Sequence, residues 1–250
     1  MWRFAVGLTT GVSHLKRGDP CQDRAVAAIV RETLIVAVAD GAGSAPCGGE
    51  GAEAAVSAAL AHLSGQADAE ADWSEEVHKA AQAARAAVNA LAQAEGRPVR
   101  DYASTLLLAV SDATSGAALQ LGDGVIAVRR NDDDAWTWII WPQKGEYANT
   151  TRFLTEPDID TVWEVAPLGP DVLDLAVMTD GLEALALNFA ERAAHDSFFE
   201  GLLAPLRKSD ALAEDARLSK SLTEFLASPR VADRADDDLS LVIASRRDRA

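Results

Sequence analysis

Cysteine is scarce in this chain, with two among 250 residues, Cys21 and Cys47, and no CxxC pair. That excludes a disulfide-built fold, argues against a thiolate zinc site, and fits a reducing cytoplasm. Histidine is scarce too, at four, and no nucleophile–histidine arrangement is evident. No apolar run approaches the roughly 18 residues that a membrane-spanning helix needs. The opening MWRFAVGLTTG has one Arg and no small-residue cleavage site, so it reads as a first strand rather than a signal peptide. Basic residues are outnumbered, 23 Lys and Arg against 39 Asp and Glu, for a net charge of −16. This excludes nucleic acid or an anionic membrane as a main partner, because binding either requires neutralising phosphate. An acidic enzyme can still handle phosphate where metal ions supply the positive charge locally. What remains is ordinary globular composition, 48% hydrophobic and 25% charged, long enough for one large domain or two small ones.

The most informative stretch is LIVAVADGAG, residues 34–43. A β-branched apolar run of strand length stops at Asp40-Gly41. A lone buried carboxylate costs several kcal/mol unless a cation or donors offset it. The glycines allow a tight turn, in which a backbone carbonyl can face the same point as the carboxylate. Such oxygen ligands suit a hard cation, Mg²⁺ or Mn²⁺.

Along the chain, residues 2–10 read as a strand, followed by a polar turn, GVSHLKRGDPCQD, which holds Asp23. Residues 23–30 and 34–40 read as a strand pair. Helices are expected over 50–63 and 73–94, the second with Val77, Ala81, Ala84, Val88 and Leu91 on one face and Gly96 and Pro98 at its end. Residues 102–141 read as a meander of four strands. One of its turns is Gly122-Asp123-Gly124, where an acid between two glycines makes a good hairpin turn. The Trp136, Trp138 and Trp141 cluster is expected in the core or on a sheet face. Residues 142–170 are irregular and contain GEYANTTRFLT, either a flap over a site or a long loop. VLDLAVMT, residues 172–179, then runs into Asp180-Gly181, a second strand-Asp-Gly ending. Residues 183–227 read as mostly helical, with breaks near Pro205 and Ser209-Asp210. The acidic run at 236–238 leads into a closing strand over 239–245; three adjacent acids are either a solvated turn or a cation-held one.

Taken in order, QD at 22–23, ADGAG at 39–43, STLL at 104–107, LGDG at 121–124, TDGL at 179–182 and DDDLSLV at 236–242 resemble the metal-dependent serine/threonine protein phosphatases of type 2C, the PPM family, in a compact bacterial form. The resemblance runs from about Gly7 to Ile243. It implies an α+β fold, a four-layer α-β-β-α sandwich of two antiparallel sheets flanked by helix pairs, in a single domain over 1–250. It also implies two Mn²⁺ or Mg²⁺ ions between the sheets. By position, Asp40 resembles the carboxylate that bridges both metals and Gly41 the carbonyl ligand. Asp180 and Asp237 resemble the remaining acids of the first metal. Asp23 resembles the acid that binds or orients metal-bound water, and Asp123 an acid that holds a weaker third metal. Asp238 stands where an Asn is usual, and Asp236 stays behind the ligands. The implied activity is hydrolysis of phosphoserine and phosphothreonine by water activated between two metals, with no covalent phosphoenzyme, in opposition to a cognate Ser/Thr kinase. A monomer follows from the same likeness, and the cysteine usage places it in the cytoplasm.

The chain also departs from that pattern. Ala42 stands where many members, mainly eukaryotic, have a general-acid His. His14, a loop residue without an evident partner, reads as a bystander. The phosphate-binding Arg expected five residues before Asp23 is replaced by Gly18, which leaves the adjacent Arg17 as the candidate. Gln22 replaces a Glu. Cys21 and Cys47 flank the metal loops and read as inert. Two alternatives remain open: a pseudophosphatase that binds phosphoproteins or regulates a kinase, and a phosphatase of small metabolites.

Overall fold

A computed structural model describes residues 1–67, 71–143 and 151–247. Two five-stranded antiparallel sheets form its centre. One has the order β1 (Trp2–Thr9), β12 (Leu239–Arg246), β9 (Val172–Met178), β6 (Val125–Arg130), β7 (Asp133–Ile140); the other has the order β2 (Arg24–Val30), β3 (Thr33–Ala39), β4 (Leu106–Ser111), β5 (Gly116–Leu121), β8 (Glu164–Pro167). The first and last strands pair along their whole length, from Trp2 opposite Arg246 to Thr9 opposite Leu239.

Three apolar layers explain the strand sequences. Leu34, Val36 and Val38 of β3 point into the space between the sheets, where they meet Leu107, Ile126, Val177 and Val242. Ile35, Ala37 and Ala39 of the same strand point outward, under α2 (Gly48–Gln66) and α3 (Trp73–Ala94). A strand covered on both faces needs no polar alternation, which is why 34–39 is apolar throughout. Its outward alanines meet Ala52, Ala55 and Ala59, small residues that let helix and sheet approach closely. The other sheet is covered by α5 (Asp196–Arg207) and α6 (Ala216–Leu226), through Phe199, Leu203, Leu222 and Leu226. The four layers expected from the resemblance are present.

Local chemistry sets the helix limits. Asp72 caps α3, its carboxylate accepting from Ser74 N at 3.0 Å and Glu75 N at 3.4 Å. Gly96, at φ +64°, takes the left-handed backbone just beyond the end. The expected face is buried at Val77, Ala81, Ala84 and Val88, with Leu91 partly covered.

Four features differ from the sequence expectation. The turn after β1 contains a short helix, α1 (Val12–Arg17), closed by Gly18 at φ +75°; six residues between two glycines carry too little periodicity to show it. β5 and β6 belong to opposite sheets, so Gly122-Asp123-Gly124 is a crossover between layers and not a hairpin. The stretch 183–227 is interrupted: α4 (Glu183–Ala186) is a single turn, and a small hairpin, β10 (Leu187–Asn188) with β11 (Ala193–Ala194), precedes α5. Pro205 lies inside α5 without ending it. Of the tryptophans, Trp136 is core, stacked on Phe199 at 4.5 Å. Trp138 and Trp141 sit at the sheet margin with Arg192 over their rings. Residues 144–150, with Tyr147, lie outside the described residues. No helix among the described residues is long and apolar enough to cross a membrane.

Candidate metal centre

The antiparallel registers bring the six motifs to one end of the sandwich. Arg24 pairs with Ala39, Leu106 with Leu121, Val125 with Met178, and Leu241 with Met178. The residue before β2, the residue after β3, the approach to β4, the β5–β6 crossover, the end of β9 and the start of β12 are therefore all at the same edge. Those positions carry Asp23, Asp40, Ser104-Thr105, Asp123, Asp180 and Asp237-Asp238.

Asp40 is held by its backbone. Its N–H donates to Thr105 Oγ1 at 2.9 Å, and its carbonyl accepts from Thr105 N at 2.8 Å. The next two residues are tied to both flanking loops, Gly41 N to Gln22 O at 3.2 Å and Ala42 N to Ala103 O at 2.9 Å. Gly41 must be glycine, because a Cβ there would lie 2.3 Å from the Gly48 carbonyl carbon. Asp23 is 1% exposed and accepts a hydrogen bond from Thr179 Oγ1 at 2.7 Å. That same Thr179 oxygen accepts from Ser240 N at 3.2 Å. Arg24 pins the loop before β2, donating to the carbonyls of Cys21 and Asp23 and to Glu53 on α2.

Charge is what marks this edge as a cation site. Burial, the nearby Asp238 and the nearby Asp180 lift the Asp23 carboxyl from 3.8 to about 7, against the pull of its Thr179 hydrogen bond. Burial pushes Asp40 well above the usual carboxylate range, and Asp23, Asp180 and Asp237 push it further. The charge of Asp23 opposes the ionisation of Asp40, as like charges sharing one site do. Carboxylates that oppose one another's ionisation this way, with glycine backbone packed around them, fit divalent cations: hard oxygen donors converge, and a double positive charge removes the repulsion. Asp40, Gly41, Asp180, Asp237 and Asp23 are thus brought together.

Two expected site residues stand differently. Asp123, half-buried in the crossover, accepts from Thr151 Oγ1 at 2.6 Å. Arg17 ends α1 with its side chain 54% exposed and ion-paired to Asp19 at 2.6 Å. Cys21 is half-buried, its thiol pushed up to about 12 by burial and by Asp238 and Asp23, which keeps it protonated and unreactive. Cys47 is buried and also free.

Four residues of the site went unassigned in the sequence. Thr105 and Thr179 are neutral members of STLL and TDGL whose hydroxyls hold the acids. Asp238, 2% exposed, is a junction: its Oδ1 accepts from Gly11 N at 2.7 Å, and its Oδ2 accepts from Gln22 N at 2.6 Å and contacts His14 Nδ1 at 2.8 Å. His14 is therefore no bystander. It is 5% exposed, and its other nitrogen, Nε2, lies 4.0 Å from Asp237 Oδ1. Ligand-capable atoms of His14, Asp237 and Asp238 all lie within 4.8 Å of one another. The one sequence signal for this pairing was Asp238 itself, a buried acid in need of a donor.

Known proteins resemble this chain in sequence and in fold. Residues 10–227 match the family model described as Protein phosphatase 2C. The chain is 34% identical to Serine/threonine-protein phosphatase 3 of Escherichia coli (strain K12), an alignment covering 97% of this chain and 98% of that one. Its fold is similar to the catalytic domain of the serine/threonine protein phosphatase PstP in complex with two manganese ions, at TM-score 0.69 and 18% identity over 99% of both chains. It is also similar to the serine/threonine phosphatase Stp1 from Staphylococcus aureus, at TM-score 0.69 and 13% identity over 99% of this chain and 96% of that one. With six motifs gathered at one end of the sandwich and a match along most of its length, the chain belongs to the protein phosphatase 2C family.

Proposed function

We propose that this chain is a metal-dependent phosphatase that removes phosphate from phosphoserine and phosphothreonine in proteins, using two Mn²⁺ or Mg²⁺ ions. The observation that carries this is the convergence of Asp40 with Asp23, Asp180 and Asp237, which the strand registers bring from four strand ends to one end of the sandwich. When bound, divalent cations offset the charge of a phosphomonoester and acidify water, the two requirements for its hydrolysis at neutral pH. The chain's own residues do the holding. Asp40, the Gly41 carbonyl, Asp180 and Asp237 serve as ligands. Asp23, fixed by Thr179, orients or accepts the proton of the attacking water. Thr105 keeps Asp40 at the strand end. Asp123 is kept as the acid for a weaker third cation, and Arg17 as the phosphate-contacting cation, which must leave Asp19 to act.

The whole of 1–250 serves as one phosphatase domain, a reading supported by the pairing of the first and last strands. The described residues on either side of 144–150 lie beside the β5–β6 crossover and take part in substrate choice. Gln143 N donates to Gly122 O at 3.2 Å, Gly122 N donates to Gln143 Oε1 at 3.1 Å, and Thr151 binds Asp123, so both flanks of 144–150 are anchored at the crossover. The protein works as a cytoplasmic monomer opposing a Ser/Thr kinase.

Phosphate release from a phosphothreonine peptide, compared with release from small phosphate metabolites under Mn²⁺, tests the substrate class. A higher kcat/KM on the peptide supports the proposal, whereas preference for a metabolite refutes it. Tight peptide binding without turnover would point to a phosphoprotein-binding module.

A further inference from the structure

His14 is a buried side chain that the phosphatase reading leaves unused. It projects from α1 to the start of β12, where Nδ1 meets Asp238 Oδ2 at 2.8 Å. Each oxygen of Asp238 already accepts a backbone N–H, from Gly11 and from Gln22, so Asp238 acts as an acceptor and Nδ1 is the donor. In the neutral ring the lone pair then sits on Nε2. That nitrogen faces Asp237 Oδ1 at 4.0 Å, too far for a hydrogen bond. Two ligand atoms this far apart can share one cation, since metal–nitrogen and metal–oxygen bonds are each about 2.0–2.2 Å. The Asp237 side chain is 57% exposed, so a cation can reach the pair from solvent. A carboxylate behind an imidazole is also the usual support of a metal-binding histidine, since it fixes the tautomer and ring plane and raises ligand basicity.

We propose that His14 Nε2 is a ligand of the divalent cation held by Asp237, so that this phosphatase's centre contains one imidazole nitrogen among its oxygens. Imidazole favours transition ions over Mg²⁺, so the site selects Mn²⁺ or a similar first-row ion. The inference rests on the metal-dependent reading above and deepens it. The remaining histidines lie elsewhere: His62 pairs with Glu76, His78 with Trp163, and His195 stands just before α5.

Electron spin-echo spectroscopy of the full chain loaded with Mn²⁺ reads nitrogen coupling to the metal directly. The expected result is an imidazole ¹⁴N coupling in the wild-type protein that is absent in His14→Asn, whose side-chain amide keeps a donor to Asp238 but has no atom at the Nε2 position. Calorimetry should show the Mn²⁺ Kd of His14→Asn raised by about 10- to 100-fold and that of Mg²⁺ changed by less than about 2-fold. Bound Mn²⁺ without nitrogen coupling in the wild type, a measurement that needs no variant, would overturn the proposal. So would coupling that persists in His14→Asn. Failure to bind Mn²⁺ at all would overturn the metal-dependent reading with it.

Discussion

Thr179 has no charge, yet its hydroxyl donates to the least exposed acid of the site and accepts from the backbone of the neighbouring strand. Thr179→Val keeps the shape and removes both bonds. Metal affinity should fall by about 10- to 100-fold with the fold intact, as read by a Mn²⁺ titration beside circular dichroism. The acids themselves oppose folding when no cation is bound. Asp23 has a folded pKa of about 7 against an ordinary 3.8, so the folded state holds a proton that the unfolded chain releases. Stability from this group is full below about pH 4 and is lost as pH rises through 7. Glu200 runs the other way: hydrogen-bonded to Arg207, it sits at about 2 against an ordinary 4.5, so its contribution is full above about pH 4.5 and is lost as pH falls through 2. The metal-free Tm should therefore peak near pH 5 and decline toward pH 8, and Mn²⁺ should remove the decline. Asp40→Asn should raise the metal-free Tm at pH 8 by at least about 2 °C while abolishing turnover.

Elements differ in how plainly their sequence declares them. The long helix over Trp73–Ala94 was legible because an apolar face and a following Gly agree, and the structure adds the Asp72 cap. The two strand-Asp-Gly endings were legible because apolar runs of strand length stop at an acid. The helix of α1 was not, and with it went His14. Only tertiary contact explains Gly11, where a Cβ would lie 2.2 Å from the Asp237 carbonyl carbon. Local sequence could not show that LGDG crosses between sheets, since a hairpin and a crossover use the same turn residues. Gly11→Ala should push α1 away from β12 and cost both stability and Mn²⁺ affinity, measurable by thermal melts and calorimetry. Gly65 is the contrast. It is exposed in α2, and a Cβ added there would meet nothing within 4 Å. Gly65→Ala should therefore stabilise by about 0.5–1 kcal/mol, raising Tm by a few degrees with activity unchanged.

Across the whole molecule, the two ends of the sandwich have opposite characters. At one end, acids are gathered without enough positive charge. At the other, Asp174 is 0% exposed and paired with Arg129 at 2.7 Å and Arg207 at 2.6 Å, while Arg207 also holds Glu200 at 2.6 Å. This network fastens α5 to β9 and β6. Asp174→Ala leaves two cations without their shared acid and should cost about 3–5 kcal/mol, read by denaturant unfolding, with kcat retained at temperatures where the variant is folded. Charge compensated at one edge and left uncompensated at the other is what a cation-dependent enzyme on a stable sandwich requires.

The most direct measurement of that central claim is hydrolysis of a phosphothreonine peptide with Mn²⁺, with Mg²⁺ and with EDTA, for the wild-type chain and for Asp40→Asn. Turnover that requires a divalent ion, disappears in EDTA and is lost in Asp40→Asn is the expected result. Turnover that survives EDTA, or absence of turnover with either metal in protein shown to be folded, would contradict it.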